Sequence, residues 1–260
     1  MAESTQKAEI FRTLHVPGRP LVLFNIWDAG SAKAVTRAGA LAIATGSWSV
    51  AAANGLADAE HVPLDLVIDN LTRIVGATDL PVSVDIESGY GQKAAAVGRT
   101  VERTIRAGAI GCNLEDSFPE SGKLRLLAEQ TERIQHARKA ADTFNLPYFI
   151  NARTDVFFQK PPKEHDDTMV AEAIERARAY ADAGASGIFA PGLVDPKLIA
   201  RLARGSPLPL NIMVSDSTTA LEVLTDAGVA RVSYGPTPYL SIMKTLEEIA
   251  RVSMSAWTRT

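Results

Sequence analysis

The chain is poor in sulfur and in imidazole. Cys112 is its only cysteine, so no intrachain disulfide is possible and a reducing compartment suits it. Its four histidines, His15, His61, His136 and His165, stand far apart. That spacing excludes the clustered ligands of a zinc hydrolase and leaves solvated or capping roles. Charge of one sign is also lacking: 27 basic and 30 acidic side chains leave a net charge of −3. A nucleic-acid partner would call for a basic excess or patch. No apolar run reaches membrane-spanning length, and the opening MAESTQKAEIFRTLH lacks the apolar stretch of a secretory signal. No Pro/Ser-rich linker or low-complexity tract divides the sequence. These absences predict a soluble, cytoplasmic chain, residues 1–260 forming one domain, with neither nucleic acid nor membrane as partner.

Hydrophobic residues, by contrast, make up 46% of the chain, set in short β-prone runs with helical stretches between them. Strands are read near 21–26, 41–47, 81–88, 109–116, 147–154, 187–192, 209–215 and 231–236. Segments 95–107, 125–143 and 168–183 have helical spacing. A small repeat marks the joints: RAGA at 37–40 and 106–109, DAGA at 182–185 and DAGV at 226–229, each just before a predicted strand. Glycine there suits the left-handed residue that ends a helix. Eight strands alternating with eight helices predict an α/β fold, a closed (β/α)₈ TIM barrel. An open doubly wound sheet is the rival, but no G-x-G-x-x-G follows the first strand. The polar insertion QKPPKEHDD at 159–167 is expected to project from the rim.

Residues two apart on a strand share a face. Ser83, Asp85 and Glu87 therefore oppose Val82, Val84 and Ile86. Gly111, Asn113 and Glu115 oppose Ile110, Cys112 and Leu114, and Phe149, Asn151 and Arg153 oppose Tyr148, Ile150 and Ala152. Asn211 faces away from Leu210 and Ile212. Helices cover the outside of a barrel, so the apolar faces point to them and the polar faces converge inside, near the strand ends where barrels place chemistry. Three carboxylates in one cavity, Asp85, Glu87 and Glu115, repel one another and lose hydration unless a cation offsets them. Mg²⁺, with Mn²⁺ as the alternative, prefers such oxygen ligands. Arg153 adds a planar fork suited to a substrate carboxylate, and Asn113 and Asn211 add polar contacts for it. The plainer alternatives are that Asp85 caps its strand or pairs with Arg153, and that Arg153 is only an ion-pair partner. Asp116 should face outward to a salt bridge or helix cap, and Cys112 should pack.

Other barrel chemistries find little support. A Schiff-base aldolase needs a strand lysine, and all nine lysines fall outside the predicted strands. SDSTTA (215–220) and GPTPYL (235–240) are weak versions of a phosphate-binding loop.

The segments TGSWSVAAANGLADAE (45–60), VDIESGYG (84–91), NLEDS (113–117) and INARTD (150–155) resemble the isocitrate lyase/phosphoenolpyruvate mutase superfamily. The likeness runs in order over nearly the whole chain, and its nearest look is to the short phosphonomutase-like members. It implies a Mg²⁺-dependent barrel acting on an α-oxo or α-hydroxy acid, breaking or moving a C–C or C–P bond beside an enolate of pyruvate type. On that likeness Asp85 and Glu87 match the metal-side acidic pair, where many relatives have Asp second. Glu115 matches the glutamate of the next strand, and Arg153 the arginine that grips the substrate carboxylate. Gly46, Ser47 and Trp48 match a loop whose backbone N–H groups receive substrate oxygens, and Asp58 an acidic residue near the metal's water shell. The likeness also implies a homotetramer whose last helix is exchanged between neighbours. Here that helix is 237–253, with an apolar stripe of Leu240, Met243, Leu246, Ile249 and Ala250.

The departures narrow the chemistry. Lyases of isocitrate and methylisocitrate carry a K-K-C-G-H-type loop after the fourth strand; here it reads SFPESGKLRLLAEQ (117–130), without Cys or His. Of the mutase's gating residues only Lys123 is a loose match, and APGL (190–193) replaces a His–Ser pair. The expectation is a lyase or decarboxylase cleaving a C–C bond of an oxaloacetate-like or substituted malate-like acid, with Arg153, Asp58 and Tyr90 as catalytic residues. Its proton would come from water or from Tyr90. A C–P bond enzyme and a catalytically inactive barrel that binds a metabolite or partner are the alternatives.

Overall fold

The structure, a computed structural model, describes residues 2–215 and 220–257; residues 216–219 of the SDSTTA segment lie outside the described residues. Strand β1 runs over Leu21–Leu23 and, after a break at Phe24, over Asn25–Ile26. It is followed by β2 (Ile43–Thr45), β3 (Val82–Asp85), β4 (Gly111–Glu115), β5 (Phe149–Arg153), β6 (Gly187–Phe189), β7 (Leu210–Met213) and β8 (Arg231–Ser233). The two halves of β1 serve different neighbours: the first pairs with β8, the second with β2. Every other pairing joins consecutive strands, and all are parallel. The break at Phe24 is thus the seam that closes the sheet, and the fold is the (β/α)₈ barrel that the alternation predicts.

The helices are α1 (Ala2–Thr13), α2 (Ala29–Arg37), α3 (Ser47–Ala53), α4 (Leu64–Val75), α5 (Ala94–Arg106), α6 (Leu127–Asp142), α7 (Asp167–Asp182), α8 (Pro196–Gly205), α9 (Leu221–Asp226) and α10 (Thr237–Trp257). The repeated glycines do what their position suggests. Gly39, Gly108, Gly184 and Gly228 all have left-handed φ, between 84° and 99°. At Gly184 a β-carbon would also stand 2.6 Å from the Arg138 side chain.

Outward strand residues such as Val84, Cys112, Ile150 and Ala152 are fully buried beneath the helices. Burial pushes the Cys112 thiol up to about 12, so it is an inert packing group. Asp116 also faces outward. It pairs with Arg176 at 3.2 Å and accepts from Tyr180 Oη at 2.7 Å, both on α7, and from the Asp155 N–H at 2.8 Å.

The N-terminal end of the barrel is plugged by α1 and the turn after it. Phe11 meets Phe149 edge-on at 5.3 Å, and His15 stacks on the same ring at 4.1 Å. Of the solvated and capping roles expected of the histidines, His15 takes the capping one, with Nδ1 2.8 Å from the Phe11 carbonyl in the last turn of α1; it is buried, and burial lowers its pKa to about 3. The insertion at 159–167 is exposed nearly throughout, around a 3₁₀ turn at Pro162–Glu164. Among the described residues, no helix is long and apolar enough to cross a membrane.

Candidate active site

Asp85 closes β3, and three backbone contacts fix it. Its own N–H donates to Thr45 Oγ1 at 2.9 Å, while its two oxygens accept from the N–H groups of Ser47 (3.3 Å) and Glu87 (3.2 Å). The chain then turns sharply. Glu87 has a left-handed φ of 51°, and Tyr90 (56°), Ala59 (72°) and Glu60 (60°) share that conformation. None of these is glycine, so strain gathers at one place. Hydrogen bonds offset it. Glu87 accepts from the Glu60 N–H at 2.6 Å and from Tyr90 Oη at 3.1 Å. Glu60 in turn accepts from Ser88 Oγ at 2.7 Å and the Tyr90 N–H at 2.9 Å. Burial, then the charges of Asp85 and Asp58, push Glu87 up to about 7.

A second group comes from β4 and β5. Arg153 pairs with Glu115 at 2.7 Å and, through two nitrogens, with Asp155 at 2.6 and 3.1 Å. Ser117 Oγ donates to Asp155 at 2.6 Å and to Glu115 at 3.2 Å. Burial opposes the Arg153 charge, but Glu115 and Asp155 outweigh it and hold the guanidinium firmly protonated. Burial raises the Glu115 pKa even against Arg153, helped by Asp155, Asp85 and Glu87.

These groups border two adjoining cavities at the C-terminal mouth of the barrel. One, of about 220 Å³, is lined by the polar Ser47, Asp58, Asp85, Asn113 and Arg153 and by the apolar Trp48, Phe158, Phe189, Pro191 and Met213. The other, of about 400 Å³, has Asp58, Glu87, Glu115, Ser117, Arg153 and Asp155 on its walls. Arg153 is the only cation among the described residues lining either. Phe158 is held over Gly192, where a β-carbon would stand 2.9 Å from its ring, and its own ring lies 5.6 Å from the Arg153 guanidinium.

The structure therefore brings Asp58, Asp85, Glu87, Glu115, Asn113 and Arg153 together with the 46–48 loop. Two expected residues stand elsewhere. Asn211 is buried in the barrel interior, bonded to Asn151 and Ser233, and lines neither cavity. Tyr90 donates to Glu87 and also lines neither, sharing instead a recess of about 10 Å³ with Ser47, Asp85 and Glu87, and burial followed by Glu87 raises its pKa steeply. The 46–48 loop needs a further correction. The Gly46 N–H is spent on the Ile26 carbonyl at 3.2 Å and that of Ser47 on Asp85, which leaves Trp48, in the first turn of α3, where helical N–H groups lack intrahelical partners. Lys123 is exposed and lines neither cavity, although Ser121 and Gly122 before it line the larger one. Sequence reasoning assigned no role to Asp155 or Glu60. Asp155 stands two residues after Arg153, the same parity that singled out Asp85 and Glu87, so its signal was present; Glu60 comes from a loop with no periodicity to read.

Among the described residues, no three His, Cys, Asp or Glu side chains are gathered closely enough to enclose a metal by themselves. The donor set nevertheless fits a cation that keeps most of its water. Asp58 Oδ1 is buried without a hydrogen-bond partner among the described residues, and burial followed by Asp85 raises its pKa. Such an orphaned acceptor suits the protons of a cation's water shell, and Mg²⁺ binds in this way through one or two carboxylates.

The chain matches the phosphoenolpyruvate phosphomutase family over residues 11–253. It is 29% identical to the 2-methylisocitrate lyase of Escherichia coli K12, over 92% of this chain and 85% of that one. A Burkholderia cenocepacia J2315 structure, provisionally assigned as a phosphonomutase, is 55% identical, with a TM-score of 0.94 over 96% of this chain and 99% of that one. A phosphonopyruvate hydrolase solved with oxalate and Mg²⁺ shares the fold at 22% identity, with a TM-score of 0.82 over 96% and 88% of the two chains. The chain belongs to the isocitrate lyase/phosphoenolpyruvate mutase superfamily of Mg²⁺-dependent lyases and mutases, and it is an enzyme.

Proposed function

We propose that this enzyme is a Mg²⁺-dependent lyase that cleaves a C–C bond of a small α-oxo or α-hydroxy acid, oxaloacetate-like or substituted malate-like, through an enolate intermediate, of enolpyruvate type for the oxaloacetate-like acid and on the released carboxylate fragment for the malate-like one. One observation carries the reading: half-buried Asp58 and Asp85 and buried Glu87 and Glu115, with an orphaned oxygen on Asp58, border the same two adjoining cavities as a single arginine. Asp85, Glu87 and Glu115 would hold the metal, in part through its bound water, with Asp58 beside that shell. When bound, the metal supplies positive charge that offsets these carboxylates and the charge developing on the substrate oxygen.

The chain's own groups supply the rest. Arg153, locked by Asp155 and Glu115, offers a fixed fork to the substrate carboxylate. Phe158 and Trp48, about half and over a third exposed, border the mouth and restrict water. With Tyr90 turned to Glu87, the proton that completes the reaction comes from water. The apolar wall of Phe158, Phe189, Pro191 and Met213, with no second cation lining it, suits an alkyl or otherwise uncharged distal group better than a phosphonate.

The lattice of exposed apolar residues on α10 supports a homo-oligomer. Leu240, Ile242, Met243, Leu246, Ile249, Val252 and Met254 are 42–70% exposed. Beside the first turns of α10 lies a groove of about 950 Å³ whose walls include Val22, Phe24, Trp27 and Leu41. Exchange of α10 between subunits would cover both surfaces.

The test is metal-dependent pyruvate release from oxaloacetate and substituted malates. Release abolished by chelation and restored by Mg²⁺ is the expected result; no release from any of them overturns the reading. Phosphate from phosphonopyruvate would favour C–P cleavage instead.

A further inference from the structure

Beneath the substrate cavity the barrel interior is polar, and its amides all point one way. Asn113 on β4, Asn151 on β5 and Asn211 on β7 are buried there. Asn151 Nδ2 donates to Asn113 Oδ1 at 2.9 Å and to Asn211 Oδ1 at 3.1 Å. The two protons of Asn211 Nδ2 are shared among three acceptors, the Arg231 and Ile212 carbonyls at 3.2 and 3.0 Å and Ser233 Oγ at 3.1 Å. Arg231, on β8, completes the ring: its side chain crosses the barrel and its Nη2 reaches Asn113 Oδ1 at a long 3.4 Å.

A side-chain amide can be turned end for end, exchanging donor for acceptor, so a chain of amides alone has two polarities. Here groups that cannot reverse stand at both ends. A peptide carbonyl only accepts and a guanidinium only donates. Asn211 must turn its nitrogen to the Arg231 carbonyl, which turns its oxygen to Asn151. Asn113 must turn its oxygen to the Arg231 guanidinium. Asn151 then gives both neighbours its nitrogen, and its oxygen lies against Gly187, where a β-carbon would stand 2.9 Å away.

We propose that the main-chain carbonyls of Arg231 and Ile212 fix the polarity of this amide ring through Asn211 and Asn151, with the Arg231 guanidinium reinforcing it at Asn113, so that Asn113 presents its Nδ2 as an N–H donor to substrate on the cavity floor. The inference rests on reading the cavity as an oxo-acid site. A second observation sets Arg231 apart from packing. It is fully buried, no carboxylate pairs with it, and its Nε and Nη1 have no hydrogen-bond partner among the described residues. Stability alone favours an apolar side chain of similar volume at such a position. The ionisable groups nearest it are Asp85 above and His15 below.

Neutron diffraction from perdeuterated protein reads the polarity directly. Deuterium on the cavity-facing atom of Asn113 is expected; an oxygen there overturns the proposal, whether or not the site takes an oxo acid. In solution, Asn151→Leu, which cuts the relay between Asn211 and Asn113, is expected to weaken oxalate binding in the presence of Mg²⁺ about tenfold by calorimetry. Arg231→Met, which leaves the relay in place and removes only the reinforcing donor, should weaken it less. Unchanged oxalate binding in Asn151→Leu overturns the proposal. Should that variant not fold, the diffraction result decides. If the wild-type protein takes no oxalate with Mg²⁺, the proposed function fails and the diffraction result alone decides the polarity.

Discussion

Glu87 and Tyr90 show how much a single contact changes a residue's role. A tyrosine in a glycine-flanked loop beside a carboxylate is a natural candidate for a proton donor. Its hydroxyl, however, is bound to Glu87 at 3.1 Å, and Tyr90 lines neither cavity. The geometry makes Tyr90 a brace for a strained glutamate. Tyr90→Phe should weaken Mg²⁺ about tenfold, the size of effect usual for outer partners of metal ligands. At saturating Mg²⁺ its kcat should stay within about threefold of wild type, since loss of a general acid costs about 10²–10⁴. A kcat drop of that larger size, unrelieved by metal, would return Tyr90 to the chemistry. The sequence made Asp85, Glu115 and Arg153 legible because each sits on a regular strand, where parity decides the face. Asn211 has the right parity as well, yet it lies in the polar layer below the cavity. Parity tells which face a side chain is on and not how deep in the barrel it stands.

At the scale of elements, the loops that carry the site are held from the helices around them. Arg133 on α6 is buried and donates to the carbonyls of Ser88, Gly91 (2.9 Å) and Gln92 (3.0 Å), pinning the loop after β3 that contains Glu87 and Tyr90. Asp116 does the same for Asp155 from the outer face of β4. The helix boundaries and joint glycines were readable because hydrophobic period and left-handed turns are local properties. The plug at the other end was not, since contacts of Phe11 and His15 with Phe149 join segments far apart in sequence. That plug yields a pH dependence. Burial first, then Arg231, depresses the folded pKa of His15 to about 3 from the usual 6.5. As pH falls below about 6.5 the unfolded chain takes up a proton that the folded chain refuses. Stability contributed by neutral His15 is therefore complete above that pH and lost progressively towards pH 3. Urea unfolding at pH 8 and pH 5 should show a larger drop in the wild type than in His15→Phe; equal drops would place His15 in solvent.

The whole molecule is a barrel with chemistry at one mouth, a plug at the other, and a long apolar helix left uncovered. Composition excluded disulfides and clustered zinc ligands, and alternation alone implied the barrel. Apart from the resemblance, the proposed oligomer has one trace in the sequence, the apolar stripe on 237–253, because what covers a surface is not written on the chain that bears it. By light scattering, the protein should have a mass of several chains, and Leu246→Glu/Ile249→Glu should lower it. A monomeric wild type would end the exchange reading of α10 and leave the site unaffected. The claim on which the account depends most is that the carboxylates at the mouth hold a divalent cation. Calorimetric titration of Mg²⁺ into wild-type protein and folded Asp85→Ala, both with oxalate present, tests it most directly. One site per chain in the wild type, lost in Asp85→Ala, is the predicted result; equal binding by the two proteins, or none by the wild type, would contradict it.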